Sequence, residues 1–421
     1  MISIAVLGYG TVGSGVVEVI EKNKDVIDKR AGEEIYVKYI LDLRDFPGDP
    51  YQDRVVHDYQ VILNDPSVSI ICETMGGNEP AFTFSMQALK AGKSVCTSNK
   101  ELVANHGAEL IRTAREHDCN YLFEASVGGG IPIIRPINAA LTAERIELIC
   151  GILNGTTNYI LTKMAEEGTD FAACLKEAQE KGYAERNPEA DVEGYDACRK
   201  IAILASLMTG KTARYEEIYT EGITKITAED IRYAKEFGYV IKLLGITKLT
   251  GKGIEVKVHP TLIPDSHPLA TVRDSFNAVF VHGQACDDAM FMGRGAGQMP
   301  TASAVLGDVI DVMRNIIHGS CGKIGSDSHK KLLVLDVEET KSRFFLRLQV
   351  ENRAGALANI AGVLGNNDVS IAQMVQKRSH DGIAEIVVIT DLVTERHFND
   401  AIRIMEGMSV VREISGIIRV Y

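Results

Sequence analysis

Residues 2–13 read Ile2-Ser3-Ile4-Ala5-Val6-Leu7-Gly8-Tyr9-Gly10-Thr11-Val12-Gly13. Ile2–Leu7 is apolar apart from Ser3, the pattern of a strand buried on both faces. It ends in a Gly-x-Gly-x-x-Gly turn, and residues 13–22 then carry apolar side chains at helical spacing. A strand, a glycine turn and a helix in that order form the context of a dinucleotide-binding turn. Gly8 permits the tight turn, Gly10 lets the backbone approach a pyrophosphate, and Gly13 lets helix and strand pack closely. Tyr9, Thr11 and Val12 belong to the same turn, where the helix N-terminus offers N–H groups and a positive dipole. The bland alternative is a glycine-rich turn packed tightly for structural reasons.

The βα rhythm continues beyond the turn. Residues 36–41 read as a second strand, 69–73 as a third, 80–91 as a helix and 94–97 as a fourth strand. This predicts a Rossmann-type, doubly wound parallel sheet over residues 1–130. Asp42, at the end of the second strand, could accept from an adenosine ribose, which favours NAD. Arg44 could instead meet a 2′-phosphate, which favours NADP. From about residue 131 the pattern becomes α+β, with strands at 147–152 and 254–262 and helices at 196–209 and 228–244. Residues 319–329 read as a linker rich in Gly, Ser and Lys. Beyond it come strands at 344–350, 369–376, 383–390 and 410–420, with helices at 355–365 and 395–405. That βαββαβ order predicts a ferredoxin-like third domain over 340–421, folding as a unit.

Composition narrows the function classes. A chain of 421 residues, 45% hydrophobic and 24% charged, is long enough for two or three domains with proper cores. A formal net charge of −12 without a Lys/Arg block argues against nucleic acid as a partner. No apolar run reaches spanning length, so no membrane association is expected. The N-terminus reads as a first strand and not as a signal peptide. Eight cysteines without a C-x-x-C spacing suit buried thiols in a reducing cytoplasm, and neither a zinc site nor a disulfide framework.

The reactive candidates lie in short blocks. Residues 182–200, GYAERNPEADVEGYDACRK, set Glu185, Glu189, Asp191, Glu193 and Asp196 against Lys200. On a helix, Asp196 and Lys200 stand four apart and share a face. A carboxylate beside an amine can hold an ammonium group and move a proton; the alternative is a solvated acidic turn with an ordinary salt bridge. Lys100, in Ser98-Asn99-Lys100, follows the fourth strand and should point to the ligand crevice, and Thr74, after the third, lies on the same rim. The glycine run of 123–132 beside Glu124 could turn carbonyls toward a monovalent cation or could equally be a tight hinge.

The blocks GYGTVGSG, TSNKELVA, FEASVGGGIP, GILNGTTNYIL, GYAE followed by DVEGYDACRK, and GRGAGQMPTASAVLGD run in this order over roughly residues 1–320. Together they strongly resemble homoserine dehydrogenase. The tail, with Val350-Glu351-Asn352-Arg353-Ala354-Gly355-Ala356-Leu357-Ala358 and Asn367-Asp368-Val369-Ser370-Ile371, looks like an ACT domain. The resemblance implies reduction of L-aspartate 4-semialdehyde to L-homoserine with NADPH or NADH, in threonine, isoleucine and methionine biosynthesis. It makes 131–325 a catalytic and dimerisation domain, with a return to the nucleotide domain near 295–320. Lys200 matches the acid/base lysine, and Lys100 a second lysine near nicotinamide and substrate; which of them carries the proton stays open. Glu185 and Asp196 match substrate carboxylates, and Asp191 a further acidic residue. Gly155, Thr156, Gly182 and Tyr183 match the surrounding pocket, and Gly297 a position close to the cofactor. The Glu124 side chain, with the carbonyls of Val127, Gly129 and Ile131, matches a sodium-type site.

ACT domains bind small amino acids between paired copies. The resemblance therefore implies a homo-oligomer, a dimer or tetramer, and an amino-acid effector, with threonine as the expected inhibitor. The effector candidates are Asn352, Gly355, Ala356, Leu357, Asn367, Asp368, Val369 and Ile371. Two departures from the family stand out: Arg186-Asn187 thins the acidic cluster, and Ala354 replaces a common Pro. The alternative reading is a non-catalytic amino-acid sensor on a decayed dehydrogenase scaffold, which the complete set Lys100, Glu185, Asp196 and Lys200 opposes. Another semialdehyde dehydrogenase is a third. No aspartokinase-like segment precedes the first strand, so a fused bifunctional enzyme is not expected.

Overall fold

The run Ile2–Leu7 forms strand β1, buried at every position. It is flanked by β2 (Ile35–Leu41), β3 (Val55–Val56), β4 (Val68–Glu73), β5 (Ser94–Thr97) and β6 (Tyr121–Leu122). All pairings are parallel and the order is β3-β2-β1-β4-β5-β6. The order reverses between β1 and β4, and a sheet of this kind binds its ligand beyond the carboxyl ends of the strands at that point. Ile4, Val6, Ile35, Val37, Ile40, Ile70 and Cys72 fill the core on the sheet, together with Val16, Val17 and Ile20 of the helix Thr11–Lys22. A much later helix, Gln298–His318, contributes Ala302, Val305, Leu306, Val309, Val312 and Met313 to the same core.

The computed structural model describes residues 1–322 and 330–421; most of the linker expected at 319–329 lies outside the described residues. The chain folds as two units. The first comprises Met1–Ile149, Arg199–Glu217 and Phe276–Leu332, and the second Cys150–Cys198, Ile218–Ser275 and Leu333–Tyr421. The first also holds the antiparallel hairpin Phe276–Gly283 and Asp287–Arg294, which sequence periodicity did not separate.

In the second unit six neighbouring strands run in the order Tyr239–Thr250, Gly253–Pro264, Val411–Val420, Lys341–Glu351, Ile383–Thr390, Ile371–His380. The last four are the tail's strands in the order fourth, first, third, second, all antiparallel, with helices Ala356–Asn366 and Glu395–Glu406 between them in sequence. This is the ferredoxin-like plan expected from the βαββαβ pattern. Phe344 and Phe398 stack at 3.7 Å in its core among Leu346, Leu348, Ile360, Leu364, Ile386 and Val388.

The tail is not a free-standing body. Val411–Val420 pairs in parallel with Gly253–Pro264 at Thr261 and Leu262, so non-tail strands extend the tail's sheet. Arg347, 6% exposed, reaches Asp230 at 2.9 Å and Glu385 at 3.1 Å. Arg419 holds Glu395 at 2.7 Å and Glu221 at 3.0 Å.

One predicted helix is corrected. Helix Ala228–Glu236 starts with a Thr227–Asp230 capping box and stops before Gly238, which sits at φ +79°. Residues 239–244 instead open the long strand Tyr239–Thr250, paired with Gly253–Pro264 along its whole length. A glycine at positive φ ends a helix at little cost, and an apolar run buried on both faces suits strand and helix alike.

Candidate active site

The first unit holds the glycine turn. Gly8 sits at φ +89°, and a Cβ on Gly13 would lie 1.9 Å from the Gly8 carbonyl oxygen. A Cβ on Gly10 would meet nothing within 4 Å, so the space a pyrophosphate needs is open there. The Thr74 hydroxyl hydrogen-bonds the Leu7 and Gly8 carbonyls at 2.9 Å, so Thr74 ties the turn to the end of β4. The helix Thr11–Lys22 has no side-chain cap at Gly10, and Gln298–His318 has none at Gly297, which sits at φ +120°. Gln298 donates to the Ser14 hydroxyl at 3.2 Å, bringing the two helix starts together. Two uncapped N-termini beside an open turn fit the phosphates of a dinucleotide.

Asp42 and Arg44 form an ion pair. The Asp42 carboxylate accepts from the Arg44 Nε at 3.0 Å, the Arg44 Nη2 at 3.1 Å and the Tyr9 amide at 2.9 Å. The Arg44 guanidinium holds the Asp42 carboxyl down at about 2. Arg44 itself is exposed, with its guanidinium 5.1 Å from the Phe46 ring centre.

Lys100 opens the helix Lys100–Glu116 and is half-buried. The preceding Asn99 caps this helix through Leu102 N at 3.1 Å and donates to the Gly77 carbonyl at 2.6 Å. Glu73, fully buried at the end of β4, accepts from Thr97 at 2.6 Å and Met75 N at 2.8 Å; burial pushes its pKa up.

The Glu124 carboxylate faces amides. It accepts from the N–H groups of Ile133, Ile134 and Arg135 at 2.6, 2.9 and 2.6 Å. Its own amide donates to Asp308, which burial pushes up to about 7 although Arg135 lies 2.8 Å away. Gly129 packs so close to Gly295 that a Cβ would lie 2.5 Å from its carbonyl oxygen. Val127 and Ile131 are buried beside this glycine run. These contacts supply a packing reason for the glycines. Among the described residues no group of three or more His, Cys, Asp or Glu side chains is placed to hold a metal ion.

The second unit gathers the acidic block. Asn154 caps the helix Gly155–Glu167: its side-chain oxygen accepts from Thr157 N at 2.9 Å. Its amide nitrogen donates to Asp191 at 2.7 Å and to Asp196 at 2.9 Å. Sequence reading singled out the two carboxylates but passed over Asn154, whose signal was an Asn directly before a helix. Thr156 donates to the Tyr183 carbonyl at 2.6 Å, which brings the Gly155-Thr156 start to the Gly182-Tyr183 turn. Gly182 sits at φ +76°, and the exposed Tyr183 ring lies 4.8 Å from that of Tyr159. Glu185, Arg186 and Asn187 are exposed, and Gln179 donates to the Glu185 carbonyl at 3.1 Å. Asp196 and Lys200 lie one turn apart on the helix Tyr195–Thr209, 4% and 8% exposed.

The effector candidates fall into two groups. Asn352, Gly355, Ala356 and Leu357 stand at the start of the 11-residue helix Ala356–Asn366, and Asn367, Asp368, Val369 and Ile371 follow its end. A helix of that length separates them by about 16 Å, so one chain does not bring them into a single pocket. Gly355, at φ +85°, makes its turn with Ala354 in place.

An open glycine turn at the switch point of a parallel sheet, with buried carboxylates and a lysine on the same chain, defines a dinucleotide-dependent oxidoreductase. The homoserine dehydrogenase family model matches residues 132–310, that of the homoserine dehydrogenase NAD-binding domain 8–124, and that of the ACT domain 344–407. Homoserine dehydrogenase of Bacillus subtilis is 41% identical, over 100% of this chain and 98% of that protein. Its counterpart in Corynebacterium glutamicum is 40% identical over 99% of this chain and 95% of its own. The crystal structure of a homoserine dehydrogenase from Thiobacillus denitrificans matches with a TM-score of 0.94 and 39% identity, over 100% and 98% of the two chains. A hyperthermophilic archaeal homoserine dehydrogenase in complex with NADPH matches with a TM-score of 0.63 and 27% identity, over 74% of this chain and 97% of its own. The chain belongs to the homoserine dehydrogenase family, and its enzymes are NAD(P)-dependent oxidoreductases.

Proposed function

We propose that the chain reduces L-aspartate 4-semialdehyde to L-homoserine. The observation that carries this is that Asp191 and Asp196 meet at one amide and that Lys200 follows Asp196 by one turn of the helix Tyr195–Thr209. The substrate bears an ammonium, a carboxylate and an aldehyde. Glu185, Asp191 and Asp196 suit the ammonium, and the N–H groups at Gly155 and Thr156 suit the carboxylate. The nicotinamide, when bound, supplies the hydride. Lys200 donates a proton to the aldehyde oxygen as it gains alkoxide character, and Lys100 is the other lysine assigned to that task. The test is oxidation of NADPH and of NADH with aspartate semialdehyde; absence of turnover with both overturns the proposal.

The Asp42–Arg44 pair favours NADP. Asp42 already accepts from Arg44 and Tyr9, whereas the exposed Arg44 can meet a 2′-phosphate. A cation at Glu124, Val127, Gly129 and Ile131 enters only as a weaker part of the proposal. Glu124 is committed to three amides, so binding would rest mainly on the backbone carbonyls.

Regulation by threonine through the tail, in a dimer or tetramer, belongs to the same proposal. Its support is the ACT match and the separation of the two effector groups, which a second copy could bring together. Six buried free cysteines support a cytoplasmic setting, and among the described residues no helix is long and apolar enough to cross a membrane.

A further inference from the structure

We infer that Asn154 is a positioning residue for the Asp191–Asp196 carboxylate pair, fixing both as hydrogen-bonded, ionised acceptors facing the substrate. The inference rests on the proposed reading of these two carboxylates. Asn154 is 5% exposed, and its carboxamide cannot be turned over. The side-chain oxygen accepts from the Thr157 amide at 2.9 Å and contacts the Thr157 hydroxyl at 3.1 Å, and only an acceptor can cap those helical N–H groups. The nitrogen therefore points the other way, and it donates to Asp191 at 2.7 Å and Asp196 at 2.9 Å.

Two carboxylates within reach of one nitrogen repel each other, and such a pair tends to share a proton. A donor aimed at both opposes that and keeps both charges on offer to an ammonium. The same bonds set the Asp196 rotamer on the helix that carries Lys200 one turn on. Asn154 thus couples the helix start at Gly155 to the acidic block, a link invisible in sequence because 37 and 42 residues separate the partners.

The test compares Asn154→Asp and Asn154→Ser in the full-length enzyme, assayed as homoserine oxidation with NADP across pH. Both variants keep an acceptor that can cap the helix. Asn154→Asp removes both N–H donors and adds a third carboxylate; Asn154→Ser replaces the two N–H donors with one O–H on a shorter side chain, which cannot reach both carboxylates, and adds no charge. Losing charge-assisted hydrogen bonds should raise the homoserine KM by about 10–100-fold in both variants. The NADP KM should stay within about twofold, which also shows that the fold is kept. In Asn154→Asp alone, the acid limb of the kcat/KM profile should move to higher pH as three carboxylates share a proton. An unchanged homoserine KM in Asn154→Ser together with an unmoved acid limb in Asn154→Asp overturns the role. Asp191→Asn and Asp196→Asn separate the two levels: if they leave the homoserine KM unchanged, the reading of the carboxylates fails, not only the assignment of Asn154.

Discussion

Lys200 is 8% exposed and stands one turn from Asp196, so its amine is held in place more firmly than a surface lysine. Lys200→Met should lower kcat by at least about 100-fold, the ordinary worth of an acid/base group, while NADP affinity measured by fluorescence titration stays nearly intact. A variant with wild-type kcat would remove Lys200 from the chemistry. Glu185, by contrast, is exposed. Under the proposed role of Glu185 in holding the ammonium, Glu185→Ala should raise the homoserine KM by about 10-fold and leave the NADP KM alone, the expected effect of losing one charge-assisted contact; a change confined to the nucleotide would place Glu185 in another subsite. His259 belongs to stability. It is fully buried, its Nε2 has no hydrogen-bond partner among the described residues, and burial, with Arg419 and Lys257 nearby, holds its pKa well below the ordinary 6.5. As pH falls, the unfolded chain takes up this proton before the folded one. The stability His259 contributes is therefore complete above pH 6.5 and is lost as pH drops below it, with a slope of up to about 1.4 kcal/mol per pH unit. Melting temperatures at about pH 7.5 and about pH 5.5 should differ less in His259→Gln than in the wild type; an equal difference would show that other groups carry the acid sensitivity.

Among the elements, the helix Ala228–Glu236 shows how local and distant forces meet. Thr227 and Asp230 form its capping box, a signal legible from sequence. The same Asp230, 1% exposed, also receives Arg347 from 117 residues away, which no local pattern announces. Removing one partner of such a pair strands a buried charge. Arg347→Met should cost about 3–5 kcal/mol in urea unfolding, and adding Asp230→Asn should recover part of that loss. A single variant as stable as the wild type would show that the pair carries no net energy. The predicted helix at 228–244 overran because Tyr239-Val240-Ile241-Lys242-Leu243-Leu244 suits either element. Gly238 and the complete pairing with Gly253–Pro264 decide for the strand.

For the whole molecule, the tail's attachment governs what truncation does. The sequence suggested a domain after a linker, separable by a cut near residue 340. In the structure its last strand joins Gly253–Pro264, and Arg347 and Arg419 neutralise Asp230 and Glu221. If threonine acts through the tail as proposed, a chain ending at residue 340 should lose inhibition by threonine, and the lost contacts should make it less stable by at least about 3–5 kcal/mol. Threonine inhibition and urea unfolding, measured on both chains, check this. Undiminished inhibition of the shortened chain would place the effector site outside the tail, and unchanged stability would make the tail contacts incidental.

The sequence by itself determined the glycine turn, the parallel βα sheet and the βαββαβ tail, and it singled out Lys100, Asp191, Asp196 and Lys200 as candidates. Those features are local: alternation, helical spacing, caps and turn residues act over a few positions, and motif blocks keep their spacing along the chain. Only the tertiary structure decided that Asp42 and Arg44 are partners and not rivals, and that Glu124 faces three amides. It also decided that one asparagine serves both Asp191 and Asp196, and that the tail is bound into its unit by the buried pairs Arg347–Asp230 and Lys257–Glu395. Each of these depends on where a buried polar group finds its partner. Burial makes an unmade hydrogen bond costly, so the fold must supply that partner, from whatever distance along the chain packing brings it.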